Sequence, residues 1–171
     1  VYGWSPRMRY DLVVNTFVRS AFERGRLTVH CGGEMWRPLV DVYDVSKCYL
    51  ACLHADLDAI GGQIFNLSYK NFRILELAHW VRKALEGILP VEIDVQYGNH
   101  TARDYRVSTK KMERVLGFRP TRSIEDSARD IALKIRAGIN ADFHNPRYDN
   151  IRWLETLTEI EAHLKRIGSL F

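Results

Sequence analysis

Apolar positions along this chain recur with two spacings, and the switch between them marks out the elements. Val13, Val14, Phe17, Val18, Ala21 and Phe22 keep helical spacing, which predicts a helix from Leu12 to Glu23 with Asp11 as N-cap and Gly25 as the stop. Leu27-Thr28-Val29-His30 reads as a short strand, after which Gly32-Gly33 turns the chain. Leu39-Val40-Asp41-Val42 reads as another strand, with Asp44 capping a helix that runs to about Ala55. Gly61-Gly62 opens a strand at Ile64-Phe65-Asn66-Leu67. Ile74, Leu77, Ala78, Val81 and Leu85 mark an amphipathic helix. Val91, Ile93 and Val95 alternate with acidic or polar residues, the pattern of a half-exposed strand.

The second half is more helical. The stretch Gly98 to Arg106 has neither period. Thr109 to Leu116 is a short helix ended by Gly117. Ser123-Ile124-Glu125-Asp126 starts a helix in the manner of a capping box, and Ile124, Ala128, Ile131 and Ile135 form its apolar face. A loop from Asn140 to Asp149 leads to a last amphipathic helix capped by Asn150, with Ile151, Leu154, Leu157, Ile160, Leu164 and Ile167 three or four apart. The expectation is one mixed α/β domain over residues 1–171, with 139–171 as a loop and helix extension. It lacks the long strand-helix alternation of a complete doubly wound sheet.

Composition narrows the class. A chain of 171 residues suits one domain, and 46% apolar with 27% charged residues excludes disorder, collagen or coiled coil as the main state. No apolar run approaches the ~20 residues that span a bilayer. The start Val1-Tyr2-Gly3-Trp4 carries no secretory signal and reads like the middle of a longer sequence. Three cysteines, Cys31, Cys48 and Cys52, without such a signal point to a reducing compartment, so a cytoplasmic location is expected. The net charge of +4 allows an anionic partner or a mildly basic surface. Arg7-Met8-Arg9 and Lys110-Lys111 lack the aromatic interleaving of a single-strand binder, which argues against nucleic acid. Cys48 and Cys52 share a helix face; with no matching pair elsewhere they read as core residues rather than half a metal site, and no metal is expected.

Three blocks in register carry more information. The first is Val1-Tyr2-Gly3 with Ser5-Pro6-Arg7-Met8-Arg9 and Asp11-Leu12-Val13-Val14-Asn15. The second runs from Gly32-Gly33-Glu34 through Trp36-Arg37-Pro38-Leu39-Val40-Asp41-Val42 to Asp44-Val45. The third is Arg103-Asp104-Tyr105-Arg106-Val107-Ser108, then Lys111 and Leu116-Gly117-Phe118-Arg119-Pro120. In order and spacing they resemble the second half of NAD-dependent nucleotide-sugar epimerases and dehydratases, which are extended short-chain dehydrogenase/reductases. The resemblance extends to about Gly138. It implies a small mixed α/β C-terminal lobe that grips a nucleotide-diphosphate sugar, without the Rossmann lobe that holds NAD or NADP.

The sequence contains no Gly-x-x-Gly-x-x-Gly turn, so NAD is not expected to bind this chain tightly. Tyr43-Asp44-Val45-Ser46-Lys47 spells Tyr-x-x-x-Lys. With Asp44 as the cap, Tyr43 should lie off the helix, and the pair follows rather than precedes the Tyr-Gly block. No catalytic residue is therefore expected, and the chain alone should be inactive.

The resemblance also implies roles for individual residues. Arg37 and Arg103 match the diphosphate clamps, and an arginine fork suits phosphate oxygens. Asp104 matches an acidic residue that orders the same loop or touches the ribose. Asp11 and Leu12 fall where a helix N-terminus meets the diphosphate. The family often has Asn at Asp11, and the alternative role for Asp11 is that of a cap alone. Thr28 and His30 fall beside the base, and Tyr2 and Gly3 near the nicotinamide–sugar junction, where Trp4 replaces the usual Pro. Plainer roles compete. Arg37 can pair with Asp41 or Glu34, Arg103 with Asp104, and His30 can be an ordinary strand residue. Trp36, Trp80 and Trp153 read as packing anchors. The partner is then a nucleotide-diphosphate sugar, with the missing lobe or a second copy covering the exposed lobe face. The competing function is a non-enzymatic interaction domain of the same fold.

Overall fold

The computed structural model describes residues 1–98 and 103–168. Helix α1 (Val13–Arg24) buries Val14, Phe17, Val18 and Ala21, the stripe its spacing foretells. Gly25 ends it at φ 66°, a left-handed backbone that costs glycine little, and its N–H donates to the Ala21 carbonyl. Strand β1 (Arg26–Val29) returns along α1 and pairs in parallel with β4 (Glu92–Val95), Leu27 opposite Ile93. Strand β2 (Trp36–Leu39) pairs antiparallel with β3 (Lys70–Arg73), Arg37 opposite Phe72.

The core lies where α1, α4 (Ile74–Ala84) and α6 (Ile124–Arg136) meet over β1 and β4. Leu77, Ala78 and Val81 of α4 meet Ile124, Ala128 and Ile131 of α6, all at most 1% exposed. Each of the leucine, valine and isoleucine side chains contributes about 1.5–3 kcal/mol on burial. Ser123 and Asp126 close the expected capping box: Ser123 Oγ accepts from the Asp126 N–H, and the Asp126 carboxylate accepts from the Ser123 N–H. The fold is a small mixed α/β unit in which short two-stranded sheets are stabilised by helices rather than by sheet width.

Several expectations shift. The strand at Leu39–Val42 moves upstream into β2, because pairing with β3 fixes the register and Asp41 leaves the strand to cap α2 (Val42–His54). Asp41 Oδ1 accepts from the Tyr43 N–H at 2.7 Å. Asp44 is therefore not the cap: it is buried one turn in and accepts from the N–H groups of Thr121 and Arg122 at 2.9 and 2.8 Å. Ile64–Leu67 forms no strand, since among the described residues it has no strand neighbour, and Ile64 is 83% exposed. A short helix α3 (Leu57–Ile60) precedes it. Leu12, not Asp11, occupies the α1 cap position, and no side chain caps that end. Of the irregular stretch from Gly98 to Arg106, residues 99–102 lie outside the described residues. Helices α5 (Lys110–Leu116) and α7 (Asn150–Gly168) form where expected, but Asp149 caps α7, accepting from the Ile151 and Arg152 N–H groups.

Candidate functional site

Helix α1, β1 and β2 enclose a cavity of about 400 Å³. Asp11 and Val13 stand at the N-terminal end of α1, Thr16, Ser20 and Arg24 follow along its more open side, and buried Phe17 joins the lining. Thr28 and His30 from the β1 side, Met35 and Arg37 from the β2 side, and Ile74 complete the wall. The lining is apolar at Phe17, Met35 and Ile74, with hydroxyls and guanidinium groups between. That is the composition of a polar-ligand pocket, and the volume lies within the usual range.

Arg37 is the informative residue. Its Nη1 donates to the Trp36 carbonyl at 2.8 Å and to the Arg103 carbonyl, and its guanidinium lies 5.6 Å from the centre of the Tyr105 ring. These contacts hold the side chain without neutralising it. Neither suggested counter-ion pairs with it. Glu34 pairs with Arg73 at 2.5 Å, while buried Asp41 accepts from Ser127 and lies 3.8 Å from Arg122 Nε. Arg103 and Asp104 do not pair with each other either. Asp104 Oδ1 accepts the Trp36 N–H at 2.8 Å, and Asn71 exchanges two 3.0 Å hydrogen bonds with Val107. Residues 103–107 thus form a strap along β2 and β3 that carries the backbone acceptor for Arg37.

Asp11 points into the cavity with its charge already committed. Arg9 donates to it twice, at 3.0 and 2.6 Å. Partial burial pushes the Asp11 carboxyl up, but the hydrogen-bonded guanidinium outweighs this and holds it below the ordinary carboxylate value. Leu12 offers its carbonyl to Thr16 N–H and leaves the first N–H groups of α1 without a side-chain cap.

Asp11, Thr28, His30 and Arg37 therefore meet at one cavity, with Leu12 at its helix end and Arg103 and Asp104 on the strap behind. Tyr2 and Gly3 lie elsewhere. Tyr2 is 1% exposed, bridges to Asp41 and donates its hydroxyl to the Arg122 carbonyl; Gly3 N–H donates to Asn15 and packs on Asp41. Thr16, Arg19, Ser20 and Arg24 were not anticipated at the cavity. Their signal was present in the helical spacing of Val13, Thr16, Ser20 and Arg24, a stripe beside the apolar one.

Two other features bear on chemistry. Tyr43 lies within α2, correcting its expected place off the helix, because the cap is Asp41. Lys47 Nζ sits over the ring, 4.6 Å from its centre, rather than at the hydroxyl, and neither residue lines the α1 cavity. The Gly32-Gly33 turn is no dinucleotide cradle. A Cβ on Gly33 would lie 2.6 Å from Val29 and 2.7 Å from Leu75, so the turn is packed against its own core. A larger hollow of about 700 Å³ beside α4 holds charges of both signs, among them the Glu34–Arg73 pair.

No family model matches the sequence. Solved structures do match. The UDP-glucuronic acid 4-epimerase of Bacillus cereus, in complex with UDP-glucuronic acid and NAD, shares 19% identity over 80% of this chain and 43% of its own, at a TM-score of 0.61. RMD from Pseudomonas aeruginosa, complexed with NADPH, shares 21% identity over 77% of this chain and 44% of its own, at 0.58. This chain has the fold of one part of an extended short-chain dehydrogenase/reductase. A dTDP-glucose 4,6-dehydratase from Bacillus anthracis extends the match to 87% of this chain and 44% of its own, at 15% identity and a TM-score of 0.58. The chain spans less than half the length of each of these structures. Among the described residues no helix is long and apolar enough to cross a membrane.

Proposed function

We propose that this chain is the C-terminal, nucleotide-sugar-binding part of an NAD-dependent sugar epimerase or dehydratase. The observation that carries the reading is Arg37, held by carbonyls yet not neutralised, at a cavity whose far wall is the uncapped start of α1. A diphosphate would accept from the N–H groups of that first turn and from the Arg37 fork. Thr16, Ser20 and Thr28 hydroxyls suit ribose oxygens, and His30 stands beside the base. Arg19 and Arg24 add positive charge along the same wall. Arg103 and Asp104 serve by keeping the strap on β2. Hydride transfer and proton transfer belong to a partner lobe, so turnover by this chain alone is not expected. A cytoplasmic location agrees with such a role.

Titration calorimetry with UDP, GDP, CDP and dTDP, with NAD as control, tests this. One nucleoside diphosphate should bind saturably and NAD should not. Arg37→Ala should weaken binding about 10- to 100-fold, as loss of a charged hydrogen bond does. Arg103→Ala should weaken it less, since its carbonyl remains. Failure of every nucleotide to bind the folded chain would sink the reading. It would favour a non-enzymatic interaction domain instead, a role supported by the exposed Tyr49, Leu50 and Leu53 on α2.

A further inference from the structure

Helix α7 is the part of the molecule that the nucleotide site leaves unexplained. It is 19 residues long and has no buried residue. It packs chiefly on the short turn Pro146–Tyr148. Helices in proteins owe most of their stability to packing of an amphipathic face, so the open apolar face of α7 calls for cover. Trp153, Leu157, Ile160, Leu164 and Ile167 are spaced four, three, four and three apart. That alternation averages 3.5 residues, the spacing of a coiled-coil seam, with exposed Ile151 and Leu154 widening the apolar face in the first turns. Four of the seam side chains are wide open: Leu157 43%, Ile160 50%, Leu164 62% and Ile167 47% exposed.

We propose that α7 is a self-association element through which four copies of this chain assemble as a coiled coil along that seam. The a positions are Leu157 and Leu164 and the d positions Ile160 and Ile167, the order that shifts preference from two strands to three or four. The area points the same way. The seam offers on the order of 300 Å² per copy, against about 800 Å² per partner in a standard stable dimer. In a four-stranded bundle each helix meets two neighbours, so its flanks are covered as well. Those flanks suit burial, since Leu154, Thr156, His163 and Gly168 surround a single carboxylate, Glu161, which pairs with Lys165 at 2.7 Å. A membrane surface fits less well. Arg152, Lys165 and Arg166 balance Glu155, Glu159 and Glu161, whereas interfacial helices carry a cationic polar face.

Sedimentation equilibrium on the full 171-residue chain, from about 5 to about 500 µM, tests this by mass action. The mass should climb from 19.9 kDa toward four times that value. Leu157→Asp with Leu164→Asp should hold it at the monomer, with the urea midpoint of the core unchanged. Exchanging the seam (Leu157→Ile, Leu164→Ile, Ile160→Leu, Ile167→Leu) should stop assembly at two copies. A monomer throughout, a wild-type plateau at the dimer, or an oligomer indifferent to the aspartates would each overturn the proposal. None of these outcomes depends on whether a nucleotide binds.

Discussion

Helices α6 and α7 carry the same kind of sequence pattern and have opposite surroundings. The 13 residues of α6 bury Ile124, Ala128, Ile131, Ala132 and Ile135 against α1 and α4, while the 19 residues of α7 bury none. Both have an acidic or hydroxyl residue accepting from first-turn N–H groups, and basic residues in the last turn. Amphipathic spacing says that one face requires cover; it is silent on who supplies it. For α6 the partner is elsewhere in the same domain. For α7 it is proposed to be other copies.

The largest expected effect sets one helix directly against the other. Ile131→Ala should cost about 2–5 kcal/mol of unfolding free energy, the usual range for emptying a packed core site. Leu164→Ala in dilute protein should stay within about 0.5 kcal/mol, as surface changes do. Urea denaturation followed by circular dichroism measures both, and equal losses would erase the contrast.

Next comes the docking of the α6 entry. Asp44 is fully buried and accepts from the Thr121 and Arg122 N–H groups just before α6. Asp44→Ala leaves those donors unpaired and should cost about 1–3 kcal/mol. Amide exchange should quicken at residues 121–124 and stay unchanged in α7. A change spread evenly over both helices would show that Asp44 acts through the fold as a whole.

The caps give a smaller, sharper comparison. Ser123→Ala should lower global stability by about 1 kcal/mol, because α6 is integral to the core. Asp149→Ala should reduce helix content without moving the global urea midpoint, because nothing in the core rests on α7. If Asp149→Ala also moves the midpoint, α7 is coupled to the core after all.

The smallest effect is in pH. The hydrogen bond from Ser123 holds the Asp126 carboxyl below its ordinary value of 3.8, with partial burial opposing. The unfolded chain takes up the proton first. This contribution is therefore present above the ordinary value and is lost as pH falls through the lowered one. Carboxyl titration by NMR should show Asp126 moving up in Ser123→Ala, and the acid limb of stability should flatten. An unmoved Asp126 would refute the assigned cause.

Much of this molecule was legible before any coordinates. Gly25 and Gly117 stop α1 and α5 as expected, and Ser123 begins α6, because caps and stops act over a few residues of local chain. Asp11, Thr28, His30 and Arg37 were singled out through the family resemblance, and all four line one cavity. Two caps shifted by one residue, to Leu12 and Asp149; the other departures depended on distant partners. Ile64–Leu67 has strand composition, yet a strand exists only where another offers its hydrogen bonds. Asp41 and Asp44 are equivalent as potential caps on paper. The tie between Asp44 and Thr121, 77 positions away, assigns them different tasks.

The sequence by itself determined which of the longer stretches are helical, which faces are apolar, and which residues have the chemistry to meet an anion. Those properties follow from side-chain type and from backbone periods of two and 3.6 residues. Tertiary structure alone decided that Glu34 turns to Arg73, that Asp41 turns to Ser127, and that Arg37 is steadied by two carbonyls and a tyrosine ring. Whether a charge is spent or available is a matter of distances across the fold, and no local spacing encodes them.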